Sequence, residues 1–293
     1  IIFIGIVSAI SIAHAEFTEH FRDYLTTNFG DDFEANVERI DMGIYNVGSF
    51  GGKLNDNDTI VNRPIIFVHG VTLRAGIFLA HRDYFIKKGY KPSELYATTY
   101  ADGGITPMYH CPMRCNFVRE IRDFIEAVHK YANSTVDIIA YSMGASISRK
   151  AILGGKCMDT DEDLGPPLTN IIETYVAVGG VCYGLENCKN PRFDGVYPAC
   201  SKINGMTCSS FYMHDINVPN KRYEGKNSFA IYSKDDHVVG QNCCGHTCSE
   251  LKNANMTIVK KHYNHGTILT MTKSLQYSLV RDQKIVKDDK DFY

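Results

Sequence analysis

Four short stretches of this 293-residue chain hold residue types that together can do acyl chemistry. In Ala140-Tyr141-Ser142-Met143-Gly144 a serine has a very small residue at each second neighbour. It follows the apolar run Val136-Asp137-Ile138-Ile139 and precedes a helix-like pattern through Ile147 and Leu153. A serine at such a sharp strand-to-helix turn is a nucleophile elbow. The crowded backbone needs small flanking residues, the hydroxyl stands above the strand end, and the helix start favours developing negative charge. Ala140 takes the place of the first glycine of G-x-S-x-G and meets the same steric demand.

A serine hydroxyl is a weak nucleophile; it needs a base, and the base needs an acid to orient it. On this scaffold the chain order is serine, acid, histidine. The acid then falls in Ser233-Lys234-Asp235-Asp236, just past the apolar run 229–232, where either aspartate qualifies. The base is His265, beyond the strand-like run 256–259 and just ahead of a helix-like pattern. His262 lies nearer that strand and reads as structural, while His214, His237 and His246 sit at no strand-to-helix junction. His69 precedes the serine, so its order is wrong. The stretch His69-Gly70-Val71 instead offers a backbone N–H for an oxyanion hole, the second coming from Met143 after the nucleophile.

The elements that must position these residues alternate along the chain. Runs 65–68, 95–100, 136–140, 174–178, 229–232 and 256–259 read as strands, several of them continuously apolar as in a sheet buried on both faces. Between them, one helical stretch ends near Lys87-Lys88-Gly89 and another runs from Ser142 to Gly154-Gly155. Phe117, Ile121, Phe124, Ile125, Val128 and Tyr131 form one apolar helix face, and Ile268, Met271, Leu275 and Leu279 form that of a last helix. This predicts an α/β protein with a mostly parallel sheet and helices on both faces. Residues 102–115 read as a loop. Residues 179–226, with Cys182, Cys188, Cys200 and Cys208 and little periodicity, read as a cysteine-rich insertion within a single domain over 16–293. Leaving the sheet on the elbow side, it is expected to form a disulfide-stapled cap over Ser142.

Composition narrows the class. Apolar residues at 44% support a sizeable core, and 31 basic against 33 acidic residues leave no positive field to attract nucleic acid. The ten cysteines predict up to five disulfides in an oxidising compartment. Cys243-Cys244-Gly245-His246-Thr247-Cys248 holds zinc-ligand types, but in no known finger spacing, so oxidation is expected and no metal. Residues 1–13 carry no charge, and Ala13-His14-Ala15 before Glu16 has the form of a signal-peptidase site. Residues 1–15 therefore read as a signal peptide lacking its first residues, too short to span a bilayer, and no transmembrane segment is expected. Sequons at Asn57, Asn133 and Asn255 suit a secreted, extracellular glycoprotein.

Ile-Ile-Phe-Val-His-Gly-Val (65–71), Ala-Tyr-Ser-Met-Gly-Ala (140–145), Ile-Tyr-Ser-Lys-Asp-Asp-His-Val-Val (231–239) and His-Tyr-Asn-His-Gly-Thr-Ile-Leu (262–269) resemble the class 2 lipases. These are the small bacterial lipase/esterase family and its secreted animal relatives among the α/β-hydrolases. The similarity runs from about Pro64 to Leu279. It implies an α/β-hydrolase fold with Ser142 as nucleophile, Asp236 instead of Asp235 as acid, and His265 as base. It also implies oxyanion amides at Val71 and Met143, and no cofactor. The implied function is a secreted serine hydrolase cleaving carboxylic esters, acylglycerols first, through an acyl-enzyme. Its partner is a lipid or small ester, met at a lipid–water interface. Tyr141, where bacterial members usually carry His, departs from the pattern, as does the insertion, which leaves the substrate range open. The alternatives are a carboxylesterase or acyltransferase on soluble esters, and a non-catalytic lipid-binding protein on the same fold.

Overall fold

The computed structural model describes residues 16–43 and 46–286; the predicted signal peptide lies outside the described residues. Short runs of β-branched and aromatic residues make the sheet, buried on both faces except in the exposed edge strand β7: β1 (Ser49–Phe50), β2 (Ile65–Val68), β3 (Leu95–Thr98), β4 (Val136–Tyr141), β5 (Ile172–Val178), β6 (Asn227–Ser233) and β7 (Met256–Lys260). Their order across it is β1-β3-β2-β4-β5-β6-β7. Only β1 runs antiparallel; every other neighbouring pair is parallel. The register aligns Val68, Ala140, Ala177 and Ala230, so the strand ends and the loops after them gather along one edge.

Alternation along each strand divides the core. Ile66, Val68, Ile138 and Ala140 pack into one layer, and Ile65, Phe67, Ile139 and Tyr141 into the other. The first layer lies under α1 (Glu19–Phe29), α2 (Asp31–Glu38), α4 (Cys115–Ala132), α5 (Met143–Leu153) and α6 (Phe211–Asn217), which contribute Phe21, Val37, Phe124, Ile147 and Tyr212. The second lies under α3 (Leu79–Lys87), α7 (His265–Met271) and α8 (Lys273–Asp282), with Phe85, Ile268 and Leu279. The sheet is thus covered on both faces.

The last helix is divided where continuous periodicity had predicted one element. Thr272, between α7 and α8, leaves helical geometry at φ −109° and ψ 21°. Its hydroxyl donates to the Ile268 carbonyl at 2.5 Å, a local bond that competes with the backbone ladder.

Four disulfides form: Cys115–Cys157, Cys188–Cys200, Cys208–Cys244 and Cys243–Cys248. Cys111 and Cys182 remain buried thiols, so the fifth bridge that the even count allows is not made. Only Cys188–Cys200 staples the 179–226 segment internally, while Cys208–Cys244 ties it to the loop after β6.

One buried arginine ties this segment to α5. Arg149 of α5 sends Nε to Glu224 Oε1 at 2.9 Å, Nη1 to the Cys182 carbonyl at 3.0 Å and Nη2 to the Ile216 carbonyl at 2.8 Å. Both charged side chains are 1% exposed. Removing one partner of such a pair strands the other charge in a low dielectric. Glu224→Gln is therefore expected to lower stability by about 3–5 kcal/mol, read as an earlier urea midpoint. An unchanged midpoint would mean that the carbonyl contacts alone hold the segment.

Candidate active site

Ser142 joins β4 to α5 at φ 55° and ψ −126°, a left-handed backbone that is costly for a residue with a Cβ. Its own N–H donates to the Val178 carbonyl at 3.1 Å, and its carbonyl accepts from Ala145 at 3.1 Å and Val181 at 3.0 Å. These bonds hold the turn against its strain. The small residues around it have a steric origin. A Cβ on Gly144 would stand 2.3 Å from the His69 carbonyl oxygen, and one on Gly70 would stand 2.7 Å from Ser142 Cβ.

The histidine arrives from the other layer. His265 is the first residue of α7, whose start is fastened by a capping box: Asn264 Oδ1 accepts from the Thr267 N–H at 2.8 Å, and Thr267 Oγ1 accepts from the Asn264 N–H at 2.8 Å. His265 Nε2 lies 2.9 Å from Ser142 Oγ, and Nδ1 lies 2.7 Å from Asp236 Oδ2. An acidic partner on Nδ1 calls for the tautomer with Nδ1–H, leaving Nε2 to accept the serine hydroxyl. Asp236 is 1% exposed, in the turn after β6, and its other oxygen accepts from the Val238 and Val239 N–H groups at 3.0 and 3.1 Å. The carboxylate is therefore fixed before it meets the imidazole.

Asp235 points elsewhere. Its Oδ2 accepts from the His262 N–H at 2.5 Å, a clasp between two loops. His246 stacks on Tyr183 at 4.2 Å, and His214 belongs to α6. His69 stacks on Tyr100 at 4.2 Å, with Nδ1 2.7 Å from the Gly70 carbonyl. Burial pushes its pKa down to about 4, so it is a neutral pillar.

Val71 and Met143 both line a crevice of about 10 Å³ beside Ser142. Neither backbone N–H has a hydrogen-bond partner among the described residues. Met143 opens α5, where a helix leaves its first amides unpaired and its dipole positive. None of residues 182–226 lines this crevice. Only the start of the insertion touches Ser142; its body packs on α5, Tyr212 donating to the Ser146 carbonyl at 3.1 Å. The segment expected to cap Ser142 is held to α5 by Arg149, to the loop after β6 by Cys208–Cys244, and to the 108–113 loop by Phe193 and Tyr197 against Tyr109.

Sequence reasoning assigned no role to Tyr141, noted only as a departure from the family pattern. The ring stacks on His265 with centroids 4.9 Å apart, and the phenol donates to the His265 carbonyl at 2.9 Å. Strand alternation was the available signal: Tyr141 faces the layer opposite to Ala140, where α7 lies. Among the described residues the group with metal-ligand chemistry is Cys115, Cys157 and Asp159, and its two sulfurs are joined to each other.

The family model for class 2 lipases matches residues 62–278, a span holding every residue of this constellation. The chain belongs to the class 2 lipase family. As such it is a carboxylic ester hydrolase. Solved structures of similar fold include a Bacillus licheniformis lipase in mature form, with 14% identity, 79% of this chain and 97% of that one covered, and a TM-score of 0.56. A soluble variant of monoglyceride lipase from Saccharomyces cerevisiae shares 12% identity over 81% of this chain and 91% of its own, at a TM-score of 0.51. Aspergillus fumigatus lipase B shares 10% identity over 78% of this chain at a TM-score of 0.52, and the present lipase spans only 54% of it. The shared architecture is the α/β-hydrolase fold. No helix among this lipase's described residues is long and apolar enough to cross a membrane.

Proposed function

We propose that this class 2 lipase is a secreted hydrolase of acylglycerol esters that works through Ser142, His265 and Asp236. One observation carries the reading: the unbroken hydrogen-bonded chain from Asp236 through His265 to Ser142 ends beside a crevice with two unpaired amides. Ser142 Oγ attacks the ester carbonyl while His265 Nε2 takes its proton. Asp236 stabilises the imidazolium and holds its tautomer. The Val71 and Met143 amides receive the oxyanion, each contributing about 3 kcal/mol in comparable hydrolases. His265 then protonates the leaving alkoxide, and a water activated by the same imidazole releases the acid from the acyl-enzyme.

Export is supported by the four disulfides and by the exposure of the three sequon residues Asn57, Asn133 and Asn255. A single domain over 16–293, with 179–226 as its insertion, is supported by the one sheet on which both core layers rest. A second reading, a carboxylesterase acting on soluble esters, is favoured by the narrow crevice and by Ser142 being only 4% exposed. Labelling with a fluorophosphonate followed by peptide mapping tests the nucleophile: a single adduct on the peptide holding Ser142 is expected. An adduct elsewhere, or none on folded protein, removes the triad reading. Rates on emulsified and on dissolved acylglycerols then separate lipase from esterase, since only a lipase gains when the interface appears.

A further inference from the structure

Two consecutive residues at the end of β4 reach the same histidine. Ser142 meets the edge of the imidazole at Nε2, and Tyr141 meets its face, with ring centroids 4.9 Å apart and planes 27° from parallel. The Tyr141 hydroxyl also donates to the His265 carbonyl at 2.9 Å. Burial, with Asp236 nearby, pushes the phenol pKa up, so the hydroxyl keeps the proton that it donates.

His265 needs such a partner because its own element is a weak support. With seven residues, α7 is too short to hold as a helix without packing. It follows the exposed edge strand β7 and breaks at Thr272. Its far end is fastened where the Leu269 carbonyl accepts from His81 Nε2 at 3.2 Å and from Gln276 Nε2 at 2.9 Å, but neither bond reaches the imidazole. The hydrogen bonds at Nδ1 and Nε2 act along the edge of the ring, so they fix its heading and leave its tilt soft. A flat side chain against the face stops the tilt and still lets the ring slide in its own plane. That small motion is what the base uses: Nε2 takes the proton from Ser142 Oγ, then gives it to the leaving oxygen as the C–O bond breaks. The face of a phenol ring is also electronegative, which favours imidazolium over neutral imidazole. Tyr141 is buried, and desolvation strengthens this attraction.

We propose that Tyr141 is a positioning residue of the hydrolase: its ring face holds the plane of His265 and stabilises the imidazolium that carries the proton from Ser142 to the leaving alkoxide. The proposal rests on the triad reading of Ser142, His265 and Asp236, and Tyr141 acts on the reaction only through His265. The aromatic face serves the proton transfers, while the hydroxyl fastens the start of α7.

Ethyl butyrate and p-nitrophenyl butyrate test it, because both give the same butyryl-enzyme and only the ethoxide needs a proton to leave. Tyr141→Met fills a similar volume without a flat face, and Tyr141→Phe keeps the face without the hydroxyl. On ethyl butyrate Tyr141→Met should lower kcat/KM at least about tenfold, the scale of a desolvated contact between a cation and an aromatic face. Tyr141→Phe should stay within about threefold of wild type. On p-nitrophenyl butyrate the loss in Tyr141→Met should be smaller by about threefold or more, since p-nitrophenolate departs unprotonated. Circular dichroism confirms that each variant is folded. Equal losses on the two esters would reduce Tyr141 to a packing residue and overturn the proposal. So would Tyr141→Met staying within about threefold on ethyl butyrate. A fall in Tyr141→Phe as deep as tenfold gives the role to the hydroxyl and overturns it too; this variant loses one oxygen, so its arm stands even if Tyr141→Met does not fold. Ester hydrolysis that survives Ser142→Ala would instead sink the triad reading, whatever the Tyr141 variants do.

Discussion

Ser142→Ala is expected to lower kcat by about 10⁴–10⁶-fold on every ester that the wild type cleaves, with thermal unfolding unchanged. The size follows from what is lost. Only the hydroxyl disappears, and the bond made by Oγ is to His265. The strained turn keeps its three backbone bonds, so nothing in the fold depends on the oxygen. His265→Ala should fall by a similar factor, because an unactivated serine is nearly as inert as none. The double variant should be hardly worse than either single one, since the groups act as a unit. Steady-state assays beside circular-dichroism melts provide the check. Activity of the Ser142 variant above about 1% of wild type would mean that another group carries the chemistry.

The second large effect separates two adjacent aspartates. Asp236→Asn should cost about 10⁴-fold in kcat, on the scale seen when the orienting acid of other serine hydrolases becomes an amide. The reason is geometric. Asp236 Oδ1 is committed to the Val238 and Val239 amides, so the new NH₂ is forced toward His265 Nδ1. Two donors cannot face each other, and the imidazole turns to the tautomer whose Nε2–H points at Ser142. Asp235→Asn keeps an oxygen able to accept from the His262 N–H, so its activity should stay within about twofold. If the two variants exchange behaviour, the acid is Asp235.

The cysteines show how a correct local inference can stop short. An even number of thiols predicted bridging, and bridges are present. Which sulfurs meet depends on chain segments far apart in sequence. Cys208 finds Cys244 across the loop after β6, while Cys182 lies buried beside no partner sulfur. Helices α1, α2 and α6 also went unpredicted. In α1 only Phe21 and Leu25 are buried, and α6 has two turns, so neither carries a long apolar stripe. Their stability comes from the layer they cover, and a sequence displays that poorly.

Tyr141 marks the same boundary at the site, since its contact with His265 exists only once α7 packs beside β4. The sequence by itself determined the alternation of strands and helices, the parallel sheet and the elbow at Ser142. Each rests on patterns that repeat within a few residues: continuous apolar runs, one-sided apolar faces, and small residues where a turn is crowded. Tertiary structure alone decided where the insertion leans, which sulfurs pair, and that Tyr141 packs on His265. Those depend on distances between segments tens of residues apart, fixed by packing two helical layers on one sheet, and no local pattern encodes them.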